Sequence, residues 1–218
     1  MPRLAQDRDT HLTPEEIAAE ALRQFDDGRS PSIRSLAAAL KVAPTAIYYH
    51  YPSRAAILDA AVELVWHEAF QIGLQILPDL AAVEPADVLV AGGLATRRAF
   101  VRHGLLAKHL AETPEVGGTL VDGLAVLAGT FEQLGLRGEA AAEAFHTYAS
   151  FVIGSTLFVT TRIVAGPQHP VEPIDPGTPA ADTRAALQQM MRISATDPQR
   201  DEELFVAGLR RVIAAIVP

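Results

Sequence analysis

The 218-residue chain contains neither cysteine nor asparagine. Without cysteine it has no disulfide, no thiolate nucleophile and no sulfur-bound zinc or iron–sulfur centre. Without asparagine it offers no N-glycosylation acceptor. Long apolar runs are missing too. The richest stretch, Phe151 to Val159, falls well short of the roughly 20 residues a membrane span needs. The first twelve residues carry Arg3, Asp7, Arg8 and Asp9 and lack the apolar segment of a signal peptide. Together these absences predict a cytoplasmic protein with no membrane partner. Enzyme signatures are equally scarce: the chain has no G-x-S-x-G elbow, no Walker loop and no dinucleotide-binding glycine fingerprint. His67-Glu68 resembles half of a zinc-protease motif, but position 71 is Gln where the second His is required. Glu143 and His146 make one Glu-x-x-His pair, and a di-iron bundle needs two.

Charge is present, and it is unevenly placed. Of the formal −8, residues 1–54 contribute nothing, with seven basic and seven acidic side chains, whereas residues 55–218 hold eleven against nineteen. From Gly28 to Leu58 there are Arg29, Arg34, Lys41 and Arg54 and no carboxylate at all. A carboxylate-free basic strip on an otherwise acidic body is the pattern of a nucleic-acid contact surface.

Nearly every apolar pattern in the chain has the helical period, and alternating strand patterns are absent, so the fold class is all-α. Thr13-Pro14-Glu15-Glu16 is a capping box with proline at the first helical position, and Gly28 closes the helix that follows. A short helix is predicted from Ile33 to Leu40, capped by Ser32, and another starts at Pro44 and stops before Pro52. Ser53 caps a long helix from Arg54 to about Leu77. Further helices are expected near Pro85 to His103, Leu105 to Glu112, Val116 to Leu134, Glu139 to Val164, Ala180 to Ser194 and Asp201 to Val217. The five prolines and two glycines between Gly166 and Pro179 mark a long loop. Residues 1–52 read as a head and 53–218 as a larger bundle, joined by the helix over 53–77.

Within the head, the helix at Ile33 to Leu40, a three-residue turn and the helix from Pro44 have helix-turn-helix proportions. Leu36, Leu40, Val42 and Ile47 can form its small core. Adjacent residues on a helix lie about 100° apart, so Tyr48 and Tyr49 cannot both be buried. An exposed phenol can bond a phosphate or stack on sugar and base edges. An ordinary helical corner with interior tyrosines is the competing reading. In the body, Trp66, His67, Phe70, Phe100, His103, His109, Phe131 and His146 are candidates for lining a cavity that takes a small apolar effector. Each of them is equally compatible with plain core. The segments Glu139 to Val164 and Asp201 to Val217 are too apolar all round for surface helices, which predicts a homodimer contact through Phe145, Tyr148, Val152, Ser155, Leu204, Phe205, Gly208 and Val212. Filling of the monomer core by both helices is the alternative.

The head carries a resemblance. Ser35-Leu36-Ala37 through Val42, and Thr45-Ala46-Ile47-Tyr48-Tyr49-His50-Tyr51-Pro52-Ser53-Arg54, resemble the DNA-binding head of the tetracycline-repressor (TetR) family. The likeness implies that Arg34 and Thr45 reach bases or nearby phosphates. It places Ala46, Tyr48, Tyr49 and His50 along the groove and backbone, and Arg54 on a phosphate. The body is similar in plan to the tetracycline-repressor subclass. Ala107-Lys108-His109-Leu110 with Thr113-Pro114 resembles the stretch holding a magnesium-ligating His in the tetracycline-binding members, which puts a divalent metal, arriving with its ligand, at His109. Phe70, Gly92 and Thr96 fall near positions where those members use other drug contacts, and their identities argue against tetracycline itself. The resemblance implies a ligand-responsive transcriptional regulator, a repressor released from a palindromic double-stranded operator by a small hydrophobic effector, with no resident cofactor. A small all-α metal-binding enzyme and a helical interaction protein are the other classes the residues allow.

Overall fold

The computed structural model describes residues 12–77, 79, 83–104, 106, 118–165 and 197–217. Among them are eight helices and no strand: α1 (Pro14–Asp26), α2 (Ile33–Leu40), α3 (Pro44–His50), α4 (Arg54–Ile76), α5 (Pro85–Arg102), α6 (Gly118–Gln133), α7 (Glu139–Ala165) and α8 (Pro198–Ile216). The helices expected at Leu105 to Glu112 and Ala180 to Ser194, and the proline-rich loop, lie outside the described residues.

Local chemistry sets the helix ends. The Thr13 and Glu16 side chains cap one another's backbone N–H groups. Ser32 and Ser35 do the same at α2, so the Ser32 cap is one half of a reciprocal box. α1 ends in paired bonds, Arg29 N–H to Gln24 C=O and Gly28 N–H to Phe25 C=O, which require the left-handed φ of 76° at Gly28. α2 ends the same way, but Lys41 supplies the left-handed residue at φ 59°. Its side chain stands exposed at the helix-turn-helix corner. Ala43 gives α3 no side-chain cap, and Pro44 at the first position removes one of the donors that would need it.

Two hydrophobic clusters organise the chain. The first joins Ile17, Phe25, Leu36 and Ile47 of the head to Ile57, Leu58 and Val65 of α4 and to Phe100 of α5. The second gathers Leu89 and Val90 from the other end of α5 with Phe131, Tyr148, Val152, Phe205, Leu209 and Ile213. α5 thus belongs to both. Its pivot is Gly93, where an added Cβ would stand 2.6 Å from Leu209 Cδ2 and 3.1 Å from Val152 Cγ2. Only glycine lets α7 and α8 approach α5 so closely. Arg97, one turn on, is 5% exposed: it pairs with Asp201, donates to Ser155 C=O at 3.3 Å and lies over the Phe205 ring.

Candidate functional site

α3 presents a polar, aromatic face to solvent. Tyr49 is 87% exposed and Tyr48 54%, while Ile47 between the faces is fully buried against the head core. Thr45 and Arg34 are exposed, and Ala46 and His50 are half-buried, with His50 edge-on to Tyr49 at 5.1 Å. The ordinary-corner reading, with interior tyrosines, is therefore excluded for this pair. A helix offering two phenols and a hydroxyl beside exposed Arg34 and Lys41 has the donors for base edges and phosphates in a major groove.

Other residues hold that face in place. Ser35 Oγ donates to Gln24 Oε1 at 2.7 Å, and Gln24 in turn donates to Glu20, tying α2 to α1 through a buried amide. Tyr51 donates its O–H to Pro14 C=O at 3.1 Å, and burial raises its phenol above the usual range. These anchors carry no pattern that sequence reading recognises, because their partners are 11 and 37 residues away. Arg54 has a structural role within the head. Its Nε donates to Pro31 C=O at 2.7 Å and its Nη2 to Ser30 Oγ at 2.8 Å, so the guanidinium braces the turn before α2. Arg54→Ala should therefore lower the thermal stability of the head by about 1 kcal/mol as well as its DNA affinity. Arg34→Ala should lower affinity alone. Melting curves set beside binding isotherms check the difference, and an unchanged melting point for Arg54→Ala would return that residue to a pure phosphate role.

In the body, α4, α5, α6 and α7 enclose a cavity of about 560 Å³. α4 contributes Trp66, Phe70, Gly73 and Leu74, and α5 contributes Ala91, Gly92, Ala95 and Thr96. α6 adds Thr119, Leu120 and Leu124, and α7 adds Phe145, Ala149 and Ile153. Among the described residues no charged one lines it. Its polar groups are few: the Thr96 hydroxyl, the Thr119 hydroxyl, and Tyr148, whose O–H donates to Leu89 C=O at 2.8 Å and is pushed well up by burial. The Nε1–H of Trp66 is buried with no acceptor among the described residues.

Of the eight predicted effector residues, Trp66 and Phe70 line this cavity. Phe100 does not: it is fully buried behind Trp66, ring to ring at 4.8 Å. Phe131 belongs to the second cluster, edge-on to Tyr148. His67 and His146 sit on exposed helix faces, and His103 is held between two carboxylates. His109 lies outside the described residues. Gly92 and Thr96, which the resemblance placed near drug contacts, do line the cavity. Among the described residues no group of three or more His, Asp or Glu could hold a metal, and no helix is long and apolar enough to cross a membrane.

The dimer residues are also redistributed. Tyr148, Val152 and Phe205 are buried inside the subunit, and Phe145 faces the cavity. Gly208 packs on Phe151, whose Cζ would be 2.8 Å from an added Cβ. Ser155, Leu204 and Val212 are half-buried. The outward stripe of α7 is instead Thr147, Ser150, Gly154, Phe158 and Thr161. α7 is apolar on more than one face, so its pattern alone does not say which face turns out.

Residues 86–217, more than half of the chain, match the family described as tetracyclin repressor-like, C-terminal domain. No curated protein matches the chain. Several solved structures share its fold. ActR from Streptomyces coelicolor in complex with actinorhodin is 23% identical, with 94% of this chain and 95% of that one covered at a TM-score of 0.73. A possible TetR family transcriptional regulator from Streptomyces coelicolor A3(2) is 21% identical, with 93% and 98% covered at 0.75. A TetR variant from Acinetobacter baumannii AYE in complex with minocycline is 22% identical, with 94% and 92% covered at 0.71. The family match over the body, and the helix-turn-helix head that α4 carries in front of it, lead to one conclusion: the chain belongs to the tetracycline-repressor family and is a ligand-responsive, DNA-binding transcriptional regulator that works as a homodimer.

Proposed function

We propose that the protein is a repressor whose effector is an uncharged, largely apolar molecule, bound in the cavity among α4, α5, α6 and α7. The observation that carries this is the cavity wall: among the described residues it holds no charged side chain, so an ionic ligand would lose its hydration there without a partner from them. An apolar ligand gains from burial there, and the Thr96 and Thr119 residues of the wall bring the few hydroxyls available for directional contacts. Two proteins of similar fold form complexes with actinorhodin and with minocycline, which supports a small-molecule effector.

The route from ligand to DNA is α4. One face of this 23-residue helix lines the cavity, while its first turns pack in the core of the head. A ligand that binds one tilt of α4 better than the other shifts the spacing of the two α3 helices in the homodimer, and they leave successive major grooves. Two-fold contact through the outward faces of α7 and α8 sets that spacing.

Trp66 is the single tryptophan of the chain and it lines the cavity, so its fluorescence reports occupancy. Gly92→Leu should fill part of the cavity, since a Cβ at that position meets only ordinary contacts at 3.5 Å or more. The expected result is a protein that binds its operator normally and responds to apolar compounds at least tenfold more weakly. The operator comes from selection on genomic fragments. Compounds that release DNA from the Gly92→Leu variant as readily as from the parent would remove the cavity from the mechanism.

A further inference from the structure

Three helices meet at one imidazole. His103 follows the last residue of α5, and its side chain is 7% exposed. Nδ1 lies 2.7 Å from Oδ1 of Asp26, the final residue of α1, and Nε2 lies 2.8 Å from Oε2 of Glu68 on α4. The other oxygen of Glu68 accepts from Arg102. The ring thus bridges two acidic side chains, one through each of its nitrogens. Neighbouring Asp27 is taken by Arg23 and Arg29, which leaves Asp26 as the carboxylate at this end of α1 that faces the body.

The position of Glu68 gives this cluster its meaning. It lies on α4 between Trp66 and Phe70, both in the cavity wall, yet its carboxylate reaches the far side toward His103. We infer that the Asp26–His103–Glu68 bridge is a latch between head and body. It holds the end of α1 to the end of α5, and the end of α5 to the cavity-lining part of α4, in one orientation, and movement of α4 in the cavity wall acts on it through Glu68. The latch is a regulatory element of the effector site and in that respect rests on the function proposed above. Its effect on the heads exists without any effector.

The chain has no cysteine, so Ala39→Cys on the exposed face of α2 places one spin label on each head and one head-to-head distance in the homodimer. With the latch intact that distance is narrowly distributed. Asp26→Asn and His103→Gln should each broaden it. Because fewer heads then have the spacing two grooves require, unlabelled versions of both variants should bind the selected operator about tenfold more weakly. The double variant should be no worse than either single one, since the two residues act through one contact. Asp26 is at a helix end with its side chain 38% exposed, so its replacement leaves the fold intact even if His103→Gln does not. If Asp26→Asn keeps both the distance distribution and operator affinity within twofold of the parent, the latch is overturned. Additive losses in the double variant overturn it as well. These measurements contain no effector. A failure of apolar compounds to perturb Trp66 or release DNA would therefore strike the proposed effector and leave the latch standing.

Discussion

Replacing Gly154 with arginine should yield a folded monomer that no longer binds its operator. Among the described residues of one subunit, a Cβ at this position meets nothing within 4 Å. The substitution is sterically free there, and removing glycine from a helix interior favours the fold by about 1 kcal/mol. The same residue lies at the centre of the outward stripe Thr147, Ser150, Gly154, Phe158 and Thr161, in which Phe158 is 59% exposed. Small side chains there allow a second copy of α7 to approach to about 8–10 Å between axes. Two-fold symmetry would bring two arginines to that contact, with like charges and long side chains facing each other. A single head lacks the gain that comes from tethering two, so the drop in operator affinity should be at least 100-fold. Sedimentation at micromolar concentration and fluorescence anisotropy with a labelled duplex measure the two halves of the claim. A dimeric Gly154→Arg protein with parental affinity would move the interface to another face. Gly208→Arg is not an equivalent experiment, because it collides with Phe151 in its own subunit.

Asp201→Ala should destabilise the subunit by about 3 kcal/mol, and Arg97→Met by only about 1 kcal/mol. The asymmetry follows from burial. Arg97 is almost wholly enclosed, and burial pulls its guanidinium below the usual range while Asp201 and Glu202 pull it back. Without Asp201 that charge keeps the Ser155 carbonyl, the Phe205 ring and, through space, Glu202. Asp201, in contrast, is one-third exposed and can turn to water when Arg97 is gone, while methionine refills much of the apolar stem. Denaturant titrations at one fixed protein concentration compare the variants fairly, since dimer formation makes apparent stability concentration-dependent. Equal costs would mean that the pair is not held as a buried charge.

Wherever local chemistry decides the outcome, the residues announce it. The capping box at Thr13, the caps at Ser32 and Ser53, the proline start at Pro44, the proline stop at Pro52 and the closing glycine at Gly28 placed α1 to α4 within a residue or two of where they stand. Adjacent helical positions lie about 100° apart, so at least one tyrosine of α3 had to face outward, and both do. The body was harder for a definite reason. α7 is apolar around more than half its circumference, with one arc packed on α5, one on the cavity and one open. Composition cannot rank these arcs, so Tyr148 and Val152 were expected at a dimer contact and instead lie inside. Bulk misled in the same way: Phe100 and Phe131 attract attention as cavity walls, but the actual lining is rich in Gly, Ala and Thr, residues that make room. His103 looked like a ligand position, and its partners at 26 and 68 become its neighbours only when α1, α4 and α5 are packed together.

The division of the hydrophobic residues into two clusters that share α5 has a consequence for engineering. Exchanging recognition heads between regulators invites a junction at Pro52, where the helix-turn-helix ends. That cut would sever Ile17, Leu36 and Ile47 from Ile57, Leu58, Val65 and Phe100, which complete their core. The transplanted head would arrive with half its interior exposed. The unit that can be moved without opening a core is longer: it runs through α4 and carries the Ala99–Phe100 end of α5 with it. The seam between the clusters then coincides with the ligand cavity, so a graft made there exchanges the head together with part of the wall that senses the ligand. Specificity for DNA and sensitivity to effector are to that extent inherited as one piece.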